Sequence, residues 1–179
     1  MISLDPWYFR PRLAGQTSEP RWGDFAMAAY TRPYIPALVP YYEKCKPFAL
    51  MLLRVGLGAI LIPHGAQKLF GLFGGAGISG NAALFDRLGY APGMLWGTVV
   101  GCIEFFGGLL LVLGLFTRPV ALALTIFMIF GVHFTGKSGG FFWLNRGAEF
   151  SILILLCAIV FLIRGGGEYS LDRKLGREV

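Results

Sequence analysis

MLWGTVVGCIEFFGGLLLVLGLF, residues Met94–Phe116, is apolar along its whole length except for Glu104 near its middle. Crossing the hydrocarbon core of a bilayer takes about 20 apolar residues in helical form, so the run is long enough to span. A carboxylate at mid-membrane carries a penalty of roughly 2.5–3.5 kcal/mol by the lowest estimates, so Glu104 must have a partner or stay neutral. Gly93, Gly97 and Gly101 recur every fourth residue, and Glu104 and Gly108 continue the same stripe. A second helix can approach closely along such a track, which turns Glu104 toward protein rather than lipid. The residue is either a functional carboxyl or one that only hydrogen-bonds a neighbouring helix.

Three further apolar runs, Phe48–Phe70, Pro119–Thr135 and Ala148–Ile163, flank this one. The chain is 55% hydrophobic and only 15% charged, with a mean hydropathy of +0.63. A soluble domain would carry far more charge. Lipid satisfies no backbone donors or acceptors, so the spans must be packed helices. The fold expected is an all-α membrane protein, a four-transmembrane-helix bundle over residues 47–164. It has an aromatic and proline-rich extension at 1–46 and a short tail at 165–179.

Basic residues set the expected orientation. Lys44, Lys46, Arg118 and Arg164 lie close to helix ends on one side, which predicts that both termini are cytoplasmic and that Asn81–Leu88 is periplasmic. This asymmetry accounts for the net charge of +6. Nucleic-acid binding is not expected, because no basic stripe is interleaved with aromatics. Between the first two spans, Asn81–Leu88 has a short amphipathic pattern, ended by Gly89 and followed by Pro92, and reads as a lid or an interfacial helix. Thr117-Arg118-Pro119 forms a tight turn, and Phe141, Phe142 and Trp143 are placed as interfacial anchors.

The extension is too charged and too rich in proline for a signal peptide. Its prolines, Pro36 and Pro40 among them, favour extended backbone. Trp7, Tyr8, Phe9 and Trp22 give it an aromatic density that unstructured tails lack. It is expected to pack on a surface, its own or a partner subunit's, or to lie as an aromatic belt on membrane lipid. Cys45, Cys102 and Cys157 show no C-x-x-C spacing, which counts against dithiol redox chemistry.

Polar residues at the edges of the spans suggest a site. At about 1.5 Å per residue from the cytoplasmic end, Arg54 lies about 9 Å in, Glu104 about 18 Å and His64 about 24 Å. His64, Lys68, His133 and Glu149 are expected to converge in an outward-facing pocket rimmed by Arg146, with Arg54 reaching toward Glu104. Glu104, His64 and Glu149 are the candidates for proton handling, and Lys68, His133, Arg54 and Arg146 for ligand binding. Metal or haem ligation is a weaker reading, since no ligand pair has a diagnostic spacing. No intrinsic cofactor motif is visible.

Several of these residues carry a resemblance. Arg54-Val-Gly-Leu-Gly with His64-Gly-Ala-Gln-Lys68-Leu, Gly101-Cys-Ile-Glu104-Phe-Phe-Gly-Gly, Leu113-Gly-Leu-Phe-Thr-Arg-Pro, Arg146-Gly-Ala-Glu149 and Gly167-Glu-Tyr-Ser-Leu-Asp172 resemble the DoxX family from about Phe48 to Leu175. The resemblance implies a bacterial or archaeal four-helix protein of the inner membrane. It also implies kinship with DoxD, a subunit of a thiosulfate:quinone oxidoreductase. Two functions are consistent with it. One is an accessory subunit of a larger, quinone-linked membrane complex, docked through Trp7, Tyr8, Phe9 and Trp22. The other is an oxidoreductase subunit whose own pocket holds the quinone headgroup.

Overall fold

Glycine and proline punctuate the apolar runs into helices. The computed structural model describes residues 34–176, and no strand occurs among the described residues. Residues 34–40 contain a 3-10 turn at Pro36–Leu38, whose Leu38 N–H returns to Ile35 O. Helix α1 spans Val39–Phe70, so it begins within the stretch read as extended, and it continues through Pro47 and Pro63. Pro40 falls in its first turn, where no intrahelical N–H is needed, which is why this proline does not prevent the helix from starting. The remaining helices are α2 (Gly77–Arg87), α3 (Gly93–Leu113), α4 (Thr117–Gly139), α5 (Glu149–Arg164) and the single turn α6 (Leu171–Lys174).

Among the described residues three helical segments are long and apolar enough to cross a membrane: Pro36–Phe70, Gly93–Leu113 and Thr117–Gly139. The fourth expected span, α5, has 16 residues, about 24 Å at 1.5 Å per residue and shorter than a hydrocarbon core of about 30 Å. It runs from Phe150, which faces His64 of α1, back to the segment that meets Arg54 through Tyr169.

The α3–α4 turn is tighter than the apolar run suggests. Gly114 adopts φ +68° as the C-terminal cap of α3 and sends its N–H to Leu111 O, while Phe116 at φ +51° starts α4. A left-handed residue ends the helix and glycine takes that conformation without strain, so hydrophobicity runs on to Phe116 although the helix stops at Leu113. The bundle core lies where Leu57 and Leu61 of α1, Leu111 of α3, Leu124 of α4 and Ala158 and Phe161 of α5 meet.

The glycine track of α3 receives two different helices. Its lower half takes α1, and a methyl added at Gly58 would lie 2.5 Å from Gly108 O. At Gly65 an added methyl would lie 2.6 Å from Phe105 Cα. Its first turns take α2 instead, where Ala82 backs onto Gly97 and Asp86 Oδ1 accepts the N–H of Gly93 at 2.6 Å. Asn81, buried, donates to Gly97 O at 2.7 Å. The insert read as a lid or interfacial helix is thus held against α3, with an acidic side chain on the positive N-terminal end of that helix.

Candidate functional site

Buried polar groups collect at two levels of the bundle. At the level of the α3–α4 turn, Arg54 is 1% exposed. Its Nη1 donates to Leu111 O and to Val112 O at 3.1 Å, and its Nη2 to Tyr169 O at 2.7 Å. The guanidinium therefore meets carbonyls at the negative C-terminal end of α3, where Leu111 O also accepts the Gly114 N–H. Gly114 leaves the space for it, since a methyl there would overlap the guanidinium. On the other side of the turn Asp172 accepts the N–H groups of Phe116 at 2.8 Å and Thr117 at 2.9 Å, and its own N–H returns to Gly114 O. One helix end is capped by a cation and the next by an anion, both from distant sequence. Ser170 starts α6 by accepting from Arg173 N–H, which fixes Asp172 in place.

Toward the other end, Glu104 Oε2 accepts from Lys68 Nζ. The Glu104 side chain is 5% exposed and that of Lys68 28%. The pair forms because Gly65 and Gly101 let α1 lie directly on α3, with Leu69 filling the space over Gly101. Phe105 covers this level, edge-on to Phe70 and Phe106. The pair is enclosed by apolar groups and open on the lysine side.

This arrangement corrects the expected pairing of Arg54 with Glu104. Arg54 is taken up by backbone carbonyls a helix-length away, and the partner of Glu104 is Lys68. Among the described residues no hydrogen bond or ion pair joins His64, His133 or Glu149 to Lys68. Glu149 turns back to accept the N–H of Trp143 at 3.1 Å, as an acidic residue at a helix N-terminus readily does. His64 is exposed, with its ring centroid 6.1 Å from that of Phe150, and His133 and Arg146 are exposed. Trp7, Tyr8, Phe9 and Trp22 lie outside the described residues. Among the described residues no three His, Cys, Asp or Glu side chains are grouped to hold a metal ion, and the three cysteines are free. Asp172, present in the sequence reading only within the family motif, is the buried side chain whose capping role that reading did not assign. Its signal was its place after Ser170, the N-cap pattern of a helical turn.

The model of the family described as DoxX matches residues 49–137. An uncharacterized protein of Haemophilus influenzae is 36% identical over 135 residues, 74% of this chain and 94% of that protein. A Bacillus subtilis protein named "Putative oxidoreductase CatD" is 34% identical over 122 residues, 68% of this chain and 83% of its own length. An inner membrane protein of Escherichia coli, YphA, is 27% identical over 144 residues, 74% of this chain and 94% of that protein. No solved structure matches the chain.

Proposed function

The chain belongs to the DoxX family of membrane proteins, and from that premise we propose that it is an inner-membrane subunit of a larger, quinone-linked electron-transfer assembly. The observation that carries this reading is the Lys68–Glu104 pair, an ion pair between two helices inside an apolar bundle. Ionisable groups at such depth are expensive and, where present, mark ligand or proton pathways. A lysine ammonium open on one side can donate to the carbonyl oxygen of a quinone headgroup. Glu104 beside it can deliver one of the two protons the headgroup gains on reduction and take it up again on oxidation, the other exchanging with water on the open lysine side. The electrons come from a partner chain, which the aromatic extension is suited to bind.

Four crossings with both termini in the cytoplasm fit this role. The course of α5, from the level of His64 back to that of Arg54, supports the fourth crossing, as does the cluster of basic residues at the same end. The alternative is an oxidoreductase subunit with a complete pocket of its own. It draws on the name of the Bacillus relative, but here the quinone contacts reduce to Lys68 and Glu104.

Mild extraction of the assembly from native membranes, with the co-purifying chains and quinone quantified, tests the reading. Wild-type protein should bring down partner chains and quinone, and Glu104→Gln should retain the chains while losing the quinone. Wild-type protein that arrives alone and free of quinone would overturn it.

A further inference from the structure

The loop between α4 and α5 presents four large apolar side chains in succession, Phe141, Phe142, Trp143 and Leu144, which are 57%, 63%, 63% and 77% exposed. Much of its backbone is bonded within the loop and to the start of α5. Phe142 O accepts from Asn145 and Gly147, Trp143 O from Arg146, Gly140 O from Ala148 and Phe141 O from Glu149, while the Trp143 N–H goes to Glu149. Irregular backbone exposed to lipid stays out of the hydrocarbon, so at this loop it is the side chains, not the main chain, that can reach into it. The loop also precedes the short helix: α5 falls about 6 Å short of a hydrocarbon core of about 30 Å. With Arg164 at the far interface, the start of α5 lies below the near one. The exposed face of the loop continues onto α5, where a groove is lined by Trp143, Glu149, Phe150, Ile152, Leu153 and Leu156. Arg146, exposed directly after the apolar residues, is positioned to meet a lipid phosphate.

We propose that this loop is an interfacial wedge, its main chain at the headgroup level, with the side chains of Phe141–Leu144 reaching into the upper acyl region of one leaflet and a phospholipid chain in the groove between Trp143 and the Leu153–Leu156 face of α5. The wedge supplies the depth that α5 lacks. This inference rests on α5 crossing the bilayer.

Trp143 reports its own depth in a full-length variant with Trp7, Trp22 and Trp96 changed to Phe, reconstituted in phosphatidylcholine vesicles brominated at shallow or deep chain positions. Quenching should be strongest with shallow bromines, and iodide on either side should have no effect. Quenching by iodide but not by brominated lipid puts the loop in water and overturns the proposal. Protection from both quenchers puts a protein surface over it and does the same. Wild-type protein in vesicles carrying a shallow photoactivatable lipid supplies an arm without substitutions: adducts should map to Phe141–Leu156, and their absence there contradicts the wedge. Cysteines introduced at Arg87 and Lys174, in a Cys45→Ser background, test the crossing separately. Labelling of both from one side refutes the four-crossing reading whatever the depth of Trp143.

Discussion

Arg54 and Lys68 sit on the same helix, both carry a positive charge into an apolar bundle, and they are accommodated by opposite means. Arg54 gives its rigid fork of donors to three backbone carbonyls, and no ion pair joins it to a carboxylate among the described residues. Lys68 gives its ammonium to one carboxylate, Glu104, and stays partly open. A guanidinium is planar, permanently charged and suited to bridging fixed acceptors, whereas an ammonium is a mobile point charge whose protonation responds to its surroundings. The Arg54 level therefore holds the fold together, and the Lys68 level is where the proposed quinone would bind.

The largest effect should come from Arg54. Arg54→Met removes the donors to Leu111 O, Val112 O and Tyr169 O, and of these only Leu111 O keeps another, the Gly114 N–H. A carbonyl unsatisfied in a buried site costs about 1–3 kcal/mol. The thermal unfolding temperature in detergent should fall steeply, and Arg54→Lys should not restore it, because one ammonium cannot span those acceptors. Wild-type melting of Arg54→Lys would break the contrast between the two cations. Gly114→Ala comes next. The left-handed backbone alone costs about 1–2 kcal/mol for a residue with a side chain, and the new methyl also displaces the guanidinium. Gly56→Ala on α1, where nothing lies within 4 Å of the added methyl, should melt at or slightly above the wild-type temperature. Equal losses at the two glycines would show that the Arg54 seat is not what Gly114 protects.

Asp172→Ala should have a smaller effect. It removes the acceptor of two N–H groups at the start of α4, and a lost N-terminal cap costs about 1 kcal/mol and at most about 2 kcal/mol. The drop should appear in melting, with the protein still inserted. No change at all would mean that the tail merely rests on the turn.

The apolar runs made the helices legible, because lipid leaves the backbone no other structure. The glycine track of α3 announced close packing, and Glu104 announced a buried partner. What the runs did not carry was which end of α1 supplied that partner. Rise per residue places Arg54 and Lys68 on either side of Glu104, and the choice is made by Gly65 and Gly101. Those two glycines bring Lys68 onto α3, while Gly114 opens a separate seat for Arg54. Asn81, at the head of the stretch read as a lid or interfacial helix, is buried, with its side chain spent on Gly97 O. A labelling cysteine therefore belongs at Arg87, which is exposed. The role of Asp172 was hidden for a similar reason, since a cap supplied from distant sequence leaves no periodic pattern.

The smallest effect on folding and the largest on function should come from the same change. Replacing a buried ion pair with apolar residues of similar size is often neutral for stability, whereas removing one partner strands a charge. Lys68→Met combined with Glu104→Leu should melt within about 1 kcal/mol of wild type, and each single change should be less stable than the double. Quinone co-purifying with the assembly, measured per mole of this subunit for the double variant and for wild type, tests the account most directly. The account predicts a folded, assembled double variant that carries no quinone; undiminished quinone in that variant would contradict it.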